Sequence, residues 1–221
     1  IETLFKTEDT AYDICFHPKF TENGYVYVGG NGNHPSGKKR SRITRYVIDR
    51  KAPYALDVKS ATVIIDWVSD GHNGAAVCFG NDGMMYVTSG DGTSDSDTNV
   101  VGQDMTTILA KVLRIDVDHP SPGKHYSVPK DNPFVDLKGA VPETWAYGVR
   151  NPWRICCDRV SGQIWLGQNG QDLWEQAFLV KKGDNYGWSV TEGSHPFYPN
   201  RKTGPTPIVK PTVEHHHSEF R

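Results

Sequence analysis

The sequence predicts an all-β chain organised as a β-propeller. Three observations carry that prediction. A strand-and-turn phrase occurs three times, the composition is rich in turn residues, and long amphipathic helical patterns are scarce. The phrase reads ICFHPKFTENGYVYVGGNG at residues 14–32, VCFGNDGMMYVTSGDG at 77–92 and ICCDRVSGQIWLGQNG at 155–170. Each copy has a short apolar run with a cysteine (Cys15, Cys78, Cys156), then a polar turn closing on Gly24, Gly83 or Gly162. An aromatic follows three residues later (Tyr27, Tyr86, Trp165), and then a glycine-rich exit. Repetition on this scale signals an array of small sheets, each too small to bury its faces alone.

Taken in order, the first copy predicts a hairpin, with its turn at 21–24 and a second strand at 25–29. A Gly/Asn/Lys loop is expected at 30–40. Residues 41–49 alternate Ile43, Arg45 and Val47 against Thr44, Tyr46 and Ile48, the period-two pattern of a strand. Residues 57–68 add another. The second copy spans 75–88 and is followed by an acidic loop of small residues at 90–103, then a strand at 110–117. Residues 131–142 read as loop. Residues 145–149 lead through Arg-Asn-Pro into the third copy. A short turn or helix is expected at 171–176, a strand at 177–180, and a turn at 183–190 leading to a last strand. Beyond residue 192, Pro, Gly and His dominate and predict a long loop. The repeat glycines lie 59 and 79 residues apart (24 to 83, 83 to 162). A four-stranded blade takes roughly 40–50 residues. By that measure residues 1–221 form one propeller domain of about four blades with inserted loops, incomplete at its C-terminal end.

The chain has 221 residues, a net charge of −2, 22 Gly, 14 Pro and 11% aromatics. Balanced charge gives no basis for binding nucleic acid or an anionic membrane. No apolar run approaches the roughly 18 residues of a membrane span. The chain begins with Ile1 rather than Met and shows no signal peptide, so it reads as a processed or partial product. Its four cysteines match no zinc spacing. The three repeat cysteines are read as small inward-facing hydrophobes, and Cys156 and Cys157, adjacent on a strand, point to opposite faces.

Four stretches offer chemistry. Asp70-Gly71-His72-Asn73-Gly74 precedes the second copy, where His72 is either a proton acceptor at a channel mouth or an ordinary turn residue. WAYGVRNPWR at 145–154 holds Arg150 and Asn151 ahead of Pro152, which restricts Asn151 to extended geometry. Arg150 either grips an anion or ties blades together. GQNGQD at 167–172 offers close backbone approach and carbonyls for a hard cation, or a plain connecting turn. GDGTSDSDTN at 90–99, with Asp91, Asp95 and Asp97, lacks the calcium-loop spacing and its closing Glu, and is read as a solvated acidic loop. His215, His216 and His217 are read as surface loop.

Taken together, the phrases CFHPKF…NGYVYV, DGHNGAAVCFGNDGMMYVTSGDG, LAKVLRIDVD, YSVPKDNPF, AYGVRNPW and GDNYGW resemble those of the quinoprotein glucose and aldose sugar dehydrogenase family, the glucose/sorbosone dehydrogenases. They run in the family's order along nearly the whole chain. The family also includes non-enzymatic hedgehog-interacting proteins. The resemblance implies a six-bladed propeller in an exported (periplasmic or secreted) protein that binds pyrroloquinoline quinone (PQQ) and calcium. It implies oxidation of an aldose at C1 to a lactone, with electrons passed to an external acceptor such as a cytochrome c. Under it, His72 matches the catalytic base and Arg150 the arginine beside the quinone oxygens. Asn151 and Asn169 match cofactor-contacting positions. Gly170 and Gln171 match a pair whose carbonyls hold calcium, with Glu175 the retained acid of a second metal position.

Departures from the family pattern are local. Asn169 stands for a Gln, Gln171 for a Pro, Trp153 for a cofactor-contacting Gln and Gln176 for a second acid. Ala11-Tyr12-Asp13 replaces a Gly-Leu-Leu-Gly stretch. The sequence ends at Arg221, where family members continue into further blades carrying a Lys and Arg residues that grip the cofactor carboxylates.

Overall fold

The computed structural model describes residues 5–219. Strands β1 (Thr10–Phe16), β2 (Tyr25–Asn33), β3 (Lys39–Ile48) and β4 (Leu56–Val68) form a first antiparallel sheet in sequence order, with the single helical turn α1 (Phe20–Asn23) between β1 and β2. Strands β5 (Val77–Phe79), β6 (Met85–Ser89), β7 (Lys111–Ile115) and β8 (Thr144–Tyr147) form a second. A third comprises β9 (Asn151–Cys157), β10 (Ile164–Asn169), β11 (Trp174–Val180) and, arriving from the tail, β14 (Val213–His216). Strands β12 (Thr191–Glu192) and β13 (His195–Pro196) make a two-stranded ribbon. Against a length estimate of about four blades, the described residues form three four-stranded sheets and this ribbon, the remaining length lying in loops.

The repeat phrase has one geometry in all three sheets. Its turn glycines sit at positive φ (68°, 79° and 75° for Gly24, Gly83 and Gly162), a region L side chains rarely adopt. Its cysteine faces its aromatic across the hairpin: Cys15 pairs with Tyr27, Cys78 with Tyr86 and Cys156 with Trp165. Because side chains alternate, this fixes which face each sheet turns to its neighbour. Tyr27, Ile43 and Ile65 of the first sheet pack with Val77, Phe79, Met85 and Val87 of the second. The opposite face of the second sheet, carrying Cys78, Tyr86 and Val112, packs with Ile155, Leu166 and Phe178 of the third. Each fully buried side chain of this kind contributes about 1.5–3 kcal/mol. Two continuous apolar layers therefore hold three sheets in series.

Series stacking explains the cysteines. Cys78 lies between the second and third sheets and is buried. Cys15 is half-buried, and Cys156, on the outward face of the third sheet, is exposed, which corrects the expectation that all three look inward. All four thiols are free.

Other differences are matters of extent. Strand β2 runs on to Asn33 and β3 starts at Lys39, so most of the predicted 30–40 loop is paired backbone. Strand β11 begins at Trp174, inside the expected turn or helix. Residues 183–190 form turns, bridged through Asn185 to Tyr147 and Ile208, and the strand they lead to is the two-residue β12. The tail supplies β12, β13 and β14, because the third sheet has a free edge at β11 that backbone pairing can cover. His215 and His216 are therefore strand residues, opposite Glu175 and Trp174. Among the described residues, no helix is long and apolar enough to cross a membrane.

Candidate functional site

The loops preceding and following the repeat hairpins of the second and third sheets meet at one end of the stack. His72 lies before β5, and its backbone is tied on both sides to the loop after β6. Its N–H donates to the Thr93 carbonyl (2.8 Å), and its own carbonyl accepts from Gly92 (3.1 Å). That loop delivers Asp91, which is fully buried. Asp91 Oδ1 lies 2.8 Å from His72 Nδ1 and also accepts from the Thr93 amide (3.0 Å) and hydroxyl (3.1 Å). Its Oδ2 accepts from the Trp188 indole (2.7 Å). Every one of these partners is a donor, so the carboxylate is an acceptor throughout and His72 Nδ1 carries the hydrogen. The remaining ring nitrogen, Nε2, then holds a lone pair, and among the described residues nothing bonds to it. A carboxylate that fixes the tautomer and orientation of an imidazole is the arrangement that makes a histidine a directed base.

Asp91 corrects the reading of residues 90–99 as a solvated acidic loop. Asp91 and Asp97 are both buried. Asp97 Oδ1 accepts from the Val101 amide (2.8 Å), and Oδ2 accepts from Gly102 (3.1 Å) and from the Ser189 hydroxyl (2.5 Å). Arg201 Nη1 pairs with the same oxygen at 3.3 Å. The acids are internal acceptors that shape the loop, whereas Asp95 remains exposed.

Arg150 joins this loop to the third sheet. Its carbonyl accepts from the Asp91 amide (2.9 Å), and its amide donates to Gln168 Oε1 (2.8 Å). Its guanidinium lies 5.7 Å from the Trp188 ring, the ring whose N–H holds Asp91. The residue is only 7% exposed. Burial lowers its pKa, opposed by the charges of Asp91, Glu192, Glu175 and Asp172. Nη1 donates to the Asn169 carbonyl (3.3 Å), while Nε (2.9 Å) and Nη2 (2.6 Å) both donate to Gln171 Oε1.

Asn151 and Asn169 are cross-strand partners at the ends of β9 and β10. Asn151 borders a small cavity of about 50 Å³ with Tyr12, Gly71, Asn73, Gly74, Pro152 and Trp153. Trp153 is 43% exposed and stands edge-on to Tyr12 at 5.5 Å. Asn169 Nδ2 donates to Glu175 Oε2 (3.0 Å), yet its Oδ1 is buried with no partner. A buried amide oxygen without a donor is an uncompensated cost.

The turn after β10 is built around Glu192, a buried acid that sequence reasoning passed over. Its Oε1 accepts from the backbone amides of Gln171 (2.6 Å), Asp172 (2.8 Å), Leu173 (3.1 Å) and Trp174 (3.3 Å). In a trans peptide the N–H and the preceding C=O point in opposite directions. Amides of 171 and 172 aimed at Glu192 therefore aim the carbonyls of Gly170 and Gln171 away from it, side by side. Gly170 is required here. A Cβ would fall 1.9 Å from the Trp174 carbonyl oxygen and 2.5 Å from Glu192 Oε1. Glu175 is turned to other partners. Its carboxylate is held by Asn169 and by His217, whose Nε2 is 2.8 Å from Oε1. Gln176 instead accepts from Gln168 Nε2 (2.6 Å). Among the described residues, no three His, Cys, Asp or Glu side chains converge on a common point.

The structure thus brings His72, Arg150, Asn151, Asn169, Gly170 and Gln171 to one end of the stack and adds Asp91, Trp188 and Glu192. The pattern defining the Glucose / Sorbosone dehydrogenase family matches residues 5–217. The HIPL1 protein of Arabidopsis thaliana is 30% identical over 99% of this chain, which spans 39% of that relative. The mouse (Mus musculus) Hedgehog-interacting protein is 31% identical over 66% of this chain, which spans 22% of it. The solved PQQ-bound form of aldose sugar dehydrogenase from Streptomyces coelicolor superposes with a TM-score of 0.70 at 25% identity, covering 96% of this chain and 55% of that one. The all-β stack of antiparallel sheets is therefore of the kind found in that dehydrogenase. On this evidence the chain belongs to the glucose/sorbosone dehydrogenase family.

Proposed function

We propose that the chain carries part of the active site of a PQQ- and calcium-dependent oxidoreductase that oxidises aldose sugars at C1. The observation that carries this reading is the His72–Asp91 pair, with His72 Nε2 left open and the buried guanidinium of Arg150 set against Trp188, the ring whose N–H holds Asp91. A base and a fixed positive charge in one loop cluster suit removal of a hydroxyl proton with negative charge developing nearby. The residues present fit the cofactor. Asn169 offers a buried amide oxygen without a donor, and Arg150 offers a desolvated guanidinium. The aligned carbonyls of Gly170 and Gln171 suit a hard cation such as calcium, with Glu175 the acid at the family's second metal position.

PQQ, when bound, supplies the quinone that takes up two electrons as hydride. His72 Nε2 takes the C1 hydroxyl proton, and Asp91 steadies the imidazolium that results. Arg150 would supply the fixed positive charge beside the group's acceptor oxygens, and Asn151 and Asn169 would hold it. The product is a lactone, and electrons leave to an external acceptor such as a cytochrome c, in an exported protein.

A second reading is a binding module without redox activity. Trp153 in the place of a cofactor-contacting Gln and the likeness to a Hedgehog-interacting protein favour it. Titration of the protein with PQQ and calcium, followed by fluorescence quenching, separates the two. Saturable binding at micromolar PQQ, with aldose-dependent dye reduction, supports the oxidoreductase. Absence of binding at that concentration supports the module.

A further inference from the structure

We infer that the Gln171 side chain is an internal placeholder for an oxyanion at Arg150, and that an anionic ligand enters this site only by displacing it. The inference deepens the quinone reading and rests on it for the identity of the natural ligand. Gln171 Oε1 receives two guanidinium donors, Nε and Nη2, at 2.9 and 2.6 Å. That forked contact is the one a carboxylate or quinone oxygen would make. The guanidinium's Nη1 donates to the Asn169 carbonyl. The part of Arg150 suited to an anion is thus already filled by a neutral amide of this chain.

The same amide closes a clasp between two sheets. Oε1 also accepts from the Ser96 amide (3.0 Å), and Nε2 donates to Asp95 Oδ1 (3.1 Å). Gln171 therefore ties the loop after β6 to the turn after β10. The strand of loop it holds is strained, with Ser96 at φ 44° and Asp97 at φ 49°, values unusual for residues other than glycine. An amide oxygen is a weaker partner for a guanidinium than a carboxylate is. An anion can therefore replace it, and its departure releases Ser96 and Asp95 together. The backbone of Gln171 stays pinned by Glu192, so the side chain moves while the carbonyl pair stays aligned.

The test compares wild type with Q171A and R150A, using PQQ and the small planar dianion oxalate as separate probes. Binding is read by calorimetry, and hydrogen exchange is read at the Ser96 amide. Q171A is expected to bind oxalate and PQQ about tenfold tighter than wild type while melting at a lower temperature. A merely structural role for Gln171 would weaken binding along with stability. R150A is expected to bind neither probe. Saturating wild type with oxalate should speed exchange at Ser96, and Q171A should show that faster exchange without ligand. Equal or weaker anion binding by Q171A, or unchanged Ser96 exchange, overturns the placeholder. Tighter oxalate binding by Q171A with no PQQ binding in any variant keeps the placeholder and removes the quinone reading. Equal PQQ binding by wild type and Q171A does the reverse. No binding of either probe by any variant overturns both.

Discussion

The residue in the slot before the closing glycine of each repeat does three jobs, and it falls seven residues after the turn glycine in the first and third copies but eight in the second. In the first sheet it is Asn31, in the second Asp91 and in the third Asn169. Around Asn31, β2 keeps pairing with β3 as far as Asn33 opposite Lys39, so the backbone is consumed by the ladder. The Asn31 amide is left to brace its surroundings, donating to Ser41, to the Ser69 carbonyl (3.0 Å) and to Asn73 Oδ1 (3.1 Å). Around Asp91, pairing has stopped at Ser89 opposite Lys111, and residues 90–110 lie outside the ladder. There a buried carboxylate gathers the free donors and aims His72. The lesson is that one hairpin serves as scaffold where the ladder continues and as site where it breaks, because only unpaired backbone must be satisfied by side chains.

The sharpest way to break this comparison is at the base and its carboxylate. His72→Ala is expected to lower kcat for PQQ-dependent aldose oxidation by about 10³-fold, within the usual range for a positioned general base. Asp91→Asn is expected to cost about 10²-fold, because one face of the amide presents a donor to a donor. Steady-state rates with PQQ and calcium saturating check both. If Asp91→Asn leaves kcat unchanged, the second slot is as structural as the first.

A second contrast lies one strand further on. Lys39 and Lys111 each open the third strand of their sheet, β3 and β7, but Lys39 is exposed and Lys111 is fully buried. Lys111 Nζ donates to the carbonyls of Asp104 (2.8 Å) and Leu109 (2.7 Å), pulling the long loop back to the sheet. Burial lowers its pKa from 10.5 to about 7, partly offset by the charges of Asp104 and Asp97. Between those values the unfolded chain binds the extra proton, so Lys111's contribution makes stability rise with pH by up to about 1.4 kcal/mol per unit. Below pH 7 both states are charged and the contribution is flat. Urea denaturation from pH 7 to 9.5 should show a steeper rise for wild type than for Lys111→Met, amounting to about 2–3 kcal/mol. Parallel curves would mean that the buried amine does not titrate in this window.

The third slot is a milder case. Asn169→Ala removes the donor to Glu175 and the amide oxygen that has no partner, while its backbone carbonyl still meets Arg150. PQQ affinity is expected to fall about tenfold, the value of one charged hydrogen bond. Stability should change little, since a buried unsatisfied group is lost along with a good bond. Calorimetry with PQQ, paired with a thermal melt, reads both.

How far the sequence disclosed this site depends on what each residue contacts. His72 and Arg150 stood out as candidates because each precedes a copy of the repeated phrase, while the roles proposed for them came only from the family resemblance. The Cys–aromatic pairing was legible from the repeated phrase itself, whereas the exposure of Cys156 was not. Exposure follows from sheet stacking, which no local pattern records. Asp91 was hidden in a run of acids and small residues that resembles a solvated loop. The available signal was its slot, since Asn31 and Asn169 also precede a repeat's last glycine. Glu192 had no such marker. Its four donors come from a turn about twenty residues upstream, brought to it by the ribbon of β12 and β13. The tail strand β14 was missed because its pairing is offered by the free edge of β11, a tertiary demand on a sequence of weak strand propensity.

The smallest expected effect tests the first slot and the idea that it only braces. Asn31 Nδ2 reaches Asn73, the neighbour of His72, and Asn73 in turn donates to the Tyr12 hydroxyl (2.9 Å). Removing the amide in Asn31→Ala leaves the Ser69 carbonyl and Asn73 Oδ1 short of one donor each, although Ser69 Oγ still supplies Asn73 at 2.7 Å. A loss of about 1–2 kcal/mol in urea denaturation is expected, the range for one buried hydrogen-bonding group. The kcat should fall by less than threefold, because His72 is aimed by Asp91 and by the Thr93 and Gly92 backbone bonds, none of which passes through Asn31. A fall in kcat comparable to that of Asp91→Asn, at unchanged stability, would show that the first sheet also aims the base, and the division between scaffold and site would have to be drawn elsewhere.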